Sequence, residues 1–317
     1  MALSPARKAI IALILANIFW GAGGPIFKLS LQNIPLMTLA FWRFILAVPF
    51  LLILARMENK PVRIEKKDRP VVFLYAVFGI TVNIIFFFLG IRLTNSMNTA
   101  VIMSGSPVIT YLLAYIFLHE AFVPRKLSGM LIGMAGMLTI IFEPLISNQS
   151  TGSMLGNVLL VIAALGAIIQ TIIGRRILPR YNTFAFTAAC FLIGAATFLP
   201  LMLYEYATTP GLYLSLDWRG YIGILYGTFF SGICGYGLFD WGLARIKASD
   251  ASVFAFLEPV AATVLGVFLV SERITHGFVF GAILIFIGIM LAEGRIRFHP
   301  TAIIVNHQTS KSRRNLL

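Results

Sequence analysis

Charge is scarce in this chain: 12% of its 317 residues are charged, 12 acidic against 25 basic, where soluble domains carry about 25%. Its two cysteines, Cys190 and Cys234, sit in separate apolar stretches without CxxC spacing, so neither a disulfide framework nor a thiolate metal site is indicated. The four histidines, His119, His276, His299 and His307, make no HxxxH pair. No glycine-rich loop runs into Lys-Ser or Lys-Thr, which leaves ATP hydrolysis without its motif. The expectation is a protein with no metal and no organic cofactor, and not an enzyme.

What the chain has instead is apolar sequence. Hydrophobic residues make up 59% of it, in runs of roughly the 20 residues needed to cross a bilayer. The short segments of alternating polarity that mark a β-barrel are missing. The expected fold class is all-α integral membrane, with spans at 9–27, 35–55, 71–91, 98–118 and 127–142, then 153–174, 183–204, 221–239, 251–270 and 277–292.

These spans fall into two related halves. A shift of 152 residues places Gly90 on Gly242, Asn98 on Asp250, Pro107 on Pro259, Glu120 on Glu272, Gly129 on Gly281 and Gly136 on Gly288, without gaps. Proline, glutamate and glycine held in one register indicate a duplication. Five spans per half is an odd number, so the second half enters the membrane in the opposite sense. The sequence therefore predicts ten transmembrane helices as two inverted five-helix repeats, the architecture of alternating-access carriers. The expected units are a first repeat at 1–143, an external linker at 144–152, a second repeat at 153–294 and a basic tail at 295–317.

The basic excess is distributed as a topology signal rather than as a nucleic-acid surface. Arg7, Lys8, the 56–69 loop, Arg125, Lys126, Arg175, Arg176, Arg180, Arg245, Lys247 and the tail share one side, against Lys28, Arg92, Arg219 and Arg273 on the other. That asymmetry predicts a multi-pass protein of the cell membrane with both termini cytoplasmic. Arg7 and Lys8 ahead of an apolar run resemble a signal peptide, but the charge asymmetry holds only if the segment is retained.

Ionisable and helix-breaking residues deep in spans carry the functional expectation. Glu258 adjoins Pro259, and Pro107 stands at the matching place in the first half; paired interruptions of this kind point to a carrier's binding site. Glu258 has no acidic twin, since Ser106 occupies that register. It is a candidate to carry a proton, bind a cationic amine or neutralise a basic residue. Arg43, well inside its own span, is the candidate counter-charge for a buried pair. A static pair, an arginine reaching along its helix to the interface and a direct substrate contact all stand open. Lys28 is an interfacial anchor or an anion contact. Polar and aromatic residues of the spans supply candidates for the substrate pathway: Trp20, Asn83, Ser104, Phe229, Tyr236 and Glu258.

Taken together, Gly235-Tyr236-Gly237-Leu238-Phe239-Asp240-Trp241-Gly242-Leu243, Leu257-Glu258-Pro259-Val260 and Glu272-Arg273-Ile274-Thr275 resemble the second EamA repeat of the drug/metabolite transporter superfamily. Phe19-Trp20-Gly21, Arg43-Phe44 and Pro107 with Glu120 resemble the first. The resemblance covers residues 9–294. It implies ten helices, cytoplasmic termini and secondary carrier activity, often export of amino acids, related metabolites or amphipathic toxic compounds. The partners implied are the lipid bilayer, a small-molecule solute and a proton as candidate coupling ion, with no nucleic acid. Alternatives are a nucleotide-sugar or multidrug carrier, and a lipid-processing membrane enzyme. The sequence departs from the commoner pattern at His119, where a glycine usually precedes the glutamate.

Overall fold

Leucine, isoleucine and phenylalanine side chains cover the outside of the helices, whereas alanine, glycine, serine and threonine are frequent where helices meet. Ile53, Ile116, Phe117, Leu155, Leu203 and Phe286 are all exposed, while Ala9, Ala12, Ala16, Ser30, Thr38, Thr183 and Thr187 are buried. In a membrane this distribution follows from the solvent: lipid tails are as apolar as leucine, so helices associate by close packing and hydrogen bonds rather than by hiding apolar surface.

The computed structural model describes residues 4–58, 60, 63–93, 102, 105–142, 154–270 and 276–294, and among them the regular structure is entirely helical. The helices are α1 (Pro5–Ser30), α2 (Leu36–Ala55), α3 (Lys66–Leu93), α4 (Ser106–Leu118), α5 (Pro124–Phe142), α6 (Met154–Ile177), α7 (Thr183–Thr208), α8 (Trp218–Leu243), the short α9 (Ala248–Ser252), α10 (Leu257–Val270) and α11 (His276–Ala292). Six helical stretches among the described residues, α1, α2, α3, α6 with its 3-10 extension to Arg180, α7 and α8, are long and apolar enough to cross a membrane. The expected linker at 144–152, the tail at 295–317, Ser104, Asn98 and Glu272 lie outside the described residues.

Sequence chemistry explains the interruptions. Two α-helical segments, Leu36–Ile45 and Ala47–Ala55, make up α2. Their junction at Leu46 lies one turn before Pro49, which has no N–H to give to the carbonyl of Ile45. Wide π turns occur in α3 at Val77–Val82 and in α8 at Gly227–Tyr236. The two segments correspond under the 152-residue shift, which carries 77–82 onto 229–234. Such turns are rare and cluster at functional sites.

The expected 98–118 and 251–270 spans differ in form from the sequence reading. Pro107 sits in the first turn of α4, and Pro259 is the third residue of α10. Ahead of α10 the chain runs through α9 and a 3-10 turn at Val253–Phe256. Neither proline therefore interrupts a regular α-helix from within; a first-turn proline costs no helical hydrogen bond.

The packing crosses between the halves. α1 packs on α8 and α10, while their counterparts α6 and α3 with α4 pack on one another; α2 packs on α7, and α5 on α11. In the last pair a Cβ on Gly129 would lie 2.7 Å from the Gly288 carbonyl oxygen, and one on Gly136 would lie 2.6 Å from that of Gly281. A main cluster around Phe44, Tyr75, Phe88, Phe186, Phe191 and Phe198 is the principal apolar core. A smaller one of Tyr111, Met130, Met137, Phe256 and Ile285 joins α4, α5 and α11 to the stretch before α10.

Candidate substrate site between the two halves

The π turn of α8 forms one wall. Within it, a Cβ on Gly232 would lie 2.7 Å from the Gly227 carbonyl oxygen, so the wide turn depends on glycine there. Arg43 of α2 packs its stem on Gly227 and donates from Nη2 to Ser231 Oγ at 3.0 Å. Trp20 of α1 donates from Nε1 to the Ser231 carbonyl at 3.2 Å and lies over Gly235, where an added Cβ would come within 2.4 Å of that nitrogen. Its ring meets Tyr236 edge-on at 5.2 Å and Phe239 at 5.0 Å. The Tyr236 hydroxyl in turn donates to the Gly79 carbonyl at 3.4 Å, joining the two π turns.

Glu258 reaches the same region from α10. The backbone of Gly21 runs directly against it, and its side chain, partly buried, makes no hydrogen bond or ion pair among the described residues. Trp20, Gly21, Tyr236, Arg43 and Glu258 thus come from α1, α2, α8 and α10, two helices from each half.

The structure separates the other candidates. Asn83 donates to the Ala163 carbonyl at 2.8 Å and ties α3 to α6. Phe229 is 38% exposed and packs with the exposed Phe50 at 5.0 Å on an outer face. Ser104 is not among the described residues.

The expected Arg43–Glu258 pair does not form among the described residues. Arg43 is 1% exposed and its guanidinium lies over the rings of Phe27 at 4.7 Å, Phe44 at 4.8 Å and Phe88 at 5.8 Å, with Ser231 as its hydrogen-bond partner. The physical reason is direction: the side chain leaves α2 between Gly227 and Phe27 and is held there by aromatic faces, whereas Glu258 follows α1 at Gly21.

A second buried carboxylate carries a network the sequence reading did not isolate. Asp240 is fully buried; its Oδ1 accepts from Tyr75 at 2.5 Å and its Oδ2 from Thr187 at 2.8 Å. The signal was present, since Asp240 lies in an apolar run like Glu258, but the expected span ended at Phe239 and left Asp240 outside the membrane.

Ties at both ends of the helices hold the halves together. Glu120 accepts from the backbone N–H of Ala248 at 2.8 Å and of Ser249 at 3.3 Å and from the Ser249 hydroxyl, at the start of α9. Lys126 pairs with Asp250 and donates to Ser249 Oγ at 3.0 Å. At the opposite end, Glu205 of α7 accepts from Met37 N at 3.0 Å, and from Thr38 N at 2.7 Å and Oγ1 at 2.8 Å, at the start of α2.

Comparison with known proteins places this geometry. The EamA-like transporter family profile matches residues 7–142 and 154–293. An uncharacterized transporter of Archaeoglobus fulgidus is 28% identical over 284 residues, covering 90% of this chain and 98% of that protein. One from Bacillus subtilis is 28% identical over 293 residues, covering 90% and 94%. A probable amino-acid metabolite efflux pump of Escherichia coli is 24% identical over 295 residues, with the same two shares, 90% and 94%. A solved crystal structure shares the fold with a TM-score of 0.75 at 18% identity, covering 92% of this chain and 99% of its own. The chain is a multi-pass membrane transporter rather than an enzyme, and it belongs to the EamA-like transporter family.

Proposed function

We propose that the protein is a secondary carrier that moves small organic solutes, amino acids or related metabolites, out of the cytoplasm by alternating access, with a proton as coupling ion. The observation that carries this reading is the meeting of α1, α2, α8 and α10 around Trp20, Arg43, Tyr236 and Glu258, with helices from both halves contributing. A site so divided changes shape whenever one half rocks against the other. Export of amino-acid-like solutes draws support from the Escherichia coli relative described as a probable amino-acid metabolite efflux pump.

The inverted-repeat arrangement of ten spans belongs to the same reading. It is supported by the corresponding π turns in α3 and α8 and by the crosswise contacts of Gly129 with Gly288 and Gly136 with Gly281. Contacts in which i meets j′ and j meets i′ are what a two-fold axis produces. Cytoplasmic termini follow from the basic residues gathered on one side.

A metabolite panel presented to the purified protein in liposomes tests the function. Saturable uptake of an amino acid or related metabolite is expected; turnover of lipid without movement of any solute would overturn it. Labelling in intact cells tests orientation: a thiol introduced near Gln149 should react and one at Lys66 should not.

A further inference from the structure

Arg43 is a permanent cation with five N–H donors, and it lies in a membrane-spanning helix at 1% exposure. Removing such a group from water is unfavourable, and the loss is recovered only when charge and donors both find partners. Here three phenylalanine faces and one neutral hydroxyl meet it, and among the described residues Nε reaches no acceptor.

No carboxylate pairs with Arg43 among the described residues. Asp240 is taken by Tyr75 and Thr187, Glu205 by the start of α2, and Glu258 makes no ion pair among the described residues. Among the described residues the buried hydroxyl oxygen of Thr228 is also without a partner. Thr228 is the residue after Gly227, on which the Arg43 stem packs, and three before Ser231, which receives Nη2. Among the described residues an unpaired guanidinium nitrogen and an unpaired hydroxyl therefore sit on two helices packed against each other.

We propose that Arg43 and Thr228 bind the carboxylate of the transported solute. A guanidinium presents parallel N–H groups that match the two oxygens of a carboxylate, and the Thr228 hydroxyl supplies a third donor. This rests on the carrier reading above and names the chemical class of its substrate. In the structure the cluster is closed: Trp20 bonds Ser231, and the Tyr226 hydroxyl donates to the Phe19 carbonyl at 2.6 Å. Solute reaches Arg43 when α1 withdraws from α8.

The test is counterflow into liposomes containing the full-length protein, using L-leucine, L-phenylalanine and L-threonine, each beside its amide. The acids are expected to move and compete, and the amides to do neither. Arg43→Gln should lower acid flux about tenfold or more, the loss of charged hydrogen bonds, while Arg43→Lys retains part of it. Thr228→Val keeps the shape and removes a hydroxyl that bonds nothing among the described residues. It should unfold no earlier than the wild type yet raise the acid KM several-fold, so it carries the test even where Arg43→Gln fails to fold. Equal movement of acids and amides, or a wild-type KM in Thr228→Val, overturns the inference and leaves the carrier reading standing. Absence of movement for every solute overturns both.

Discussion

Gly21 of α1 and Glu258 of α10 meet backbone to backbone: a Cβ on Gly21 would lie 2.3 Å from the Glu258 carbonyl oxygen and 2.7 Å from its Cα. Flexible side chains can yield at such a distance, but two helix backbones cannot. Gly21→Val should therefore push α1 off α10 and lower stability by about 1–3 kcal/mol, the usual cost of overpacking. Gly24→Ala, where nothing lies within 4 Å of the added Cβ, should be neutral or slightly stabilising through helix propensity. Thermal unfolding of the two detergent-purified variants checks the contrast.

His119 ends α4 in the left-handed region at φ 53°, ψ 34°. Glycine adopts that conformation freely, whereas other residues pay roughly 1–2 kcal/mol for it. His119→Gly should accordingly raise the unfolding temperature, and His119→Val should lower it. A glycine before the glutamate, the pattern the sequence resemblance implies, would meet this geometry without that cost. Glu120 must turn sharply out of α4 to reach the N–H groups of Ala248 and Ser249.

The Asp240 network makes a prediction about coupling. Asp240→Ala leaves the Tyr75 hydroxyl buried without its acceptor, at about 1–3 kcal/mol, whereas the Thr187 hydroxyl keeps the Thr183 carbonyl at 2.9 Å. Adding Tyr75→Phe removes one stranded donor, so the double variant should be less destabilised than the sum of the singles. Strict additivity in a double-mutant cycle would show that the tyrosine and aspartate do not act together.

Outside the membrane, the Arg219 side chain hydrogen-bonds Asp217 and holds its carboxyl below the usual aspartate range. A depressed folded-state pKa adds stability above the unfolded pKa, and that stability is lost as pH falls through the folded value. In Asp217→Asn the pH dependence of unfolding below the ordinary aspartate range should therefore be shallower than in the wild type. Identical acid limbs would contradict the role given to this pair.

How much of this was legible in the sequence depended on rarity. Glu258, Pro107 and Pro259 stood out because charge and proline are rare in apolar runs, and the structure places Glu258 against α1 at the candidate site. Arg43 stood out for the same reason, yet its surroundings were not legible. Which way a side chain leaves its helix depends on the neighbour it meets, here Gly227 on the π turn of α8. Phe229 and Tyr236 are close in sequence and similar in chemistry, but the wide turn sends one outward to Phe50 and the other inward to Trp20. Asp240 stood only as one letter of the 235–243 motif, because the expected span stopped at Phe239 while the helix continues through Asp240 to Leu243.

On the proposed function, solute is carried by alternating access through one site between the halves, with Glu258 coupling movement to protons. Counterflow and gradient-driven accumulation, measured side by side in liposomes for the wild type and Glu258→Gln, test it most directly. Glu258 is partly buried and makes no hydrogen bond or ion pair among the described residues, so the near-isosteric amide strands no partner and should leave the protein folded. Wild-type flux should saturate and be accelerated by unlabelled solute on the opposite side. Glu258→Gln should keep that acceleration while losing accumulation driven by a pH gradient. Flux that rises linearly with concentration and ignores the opposite side, or full accumulation by Glu258→Gln, would contradict it.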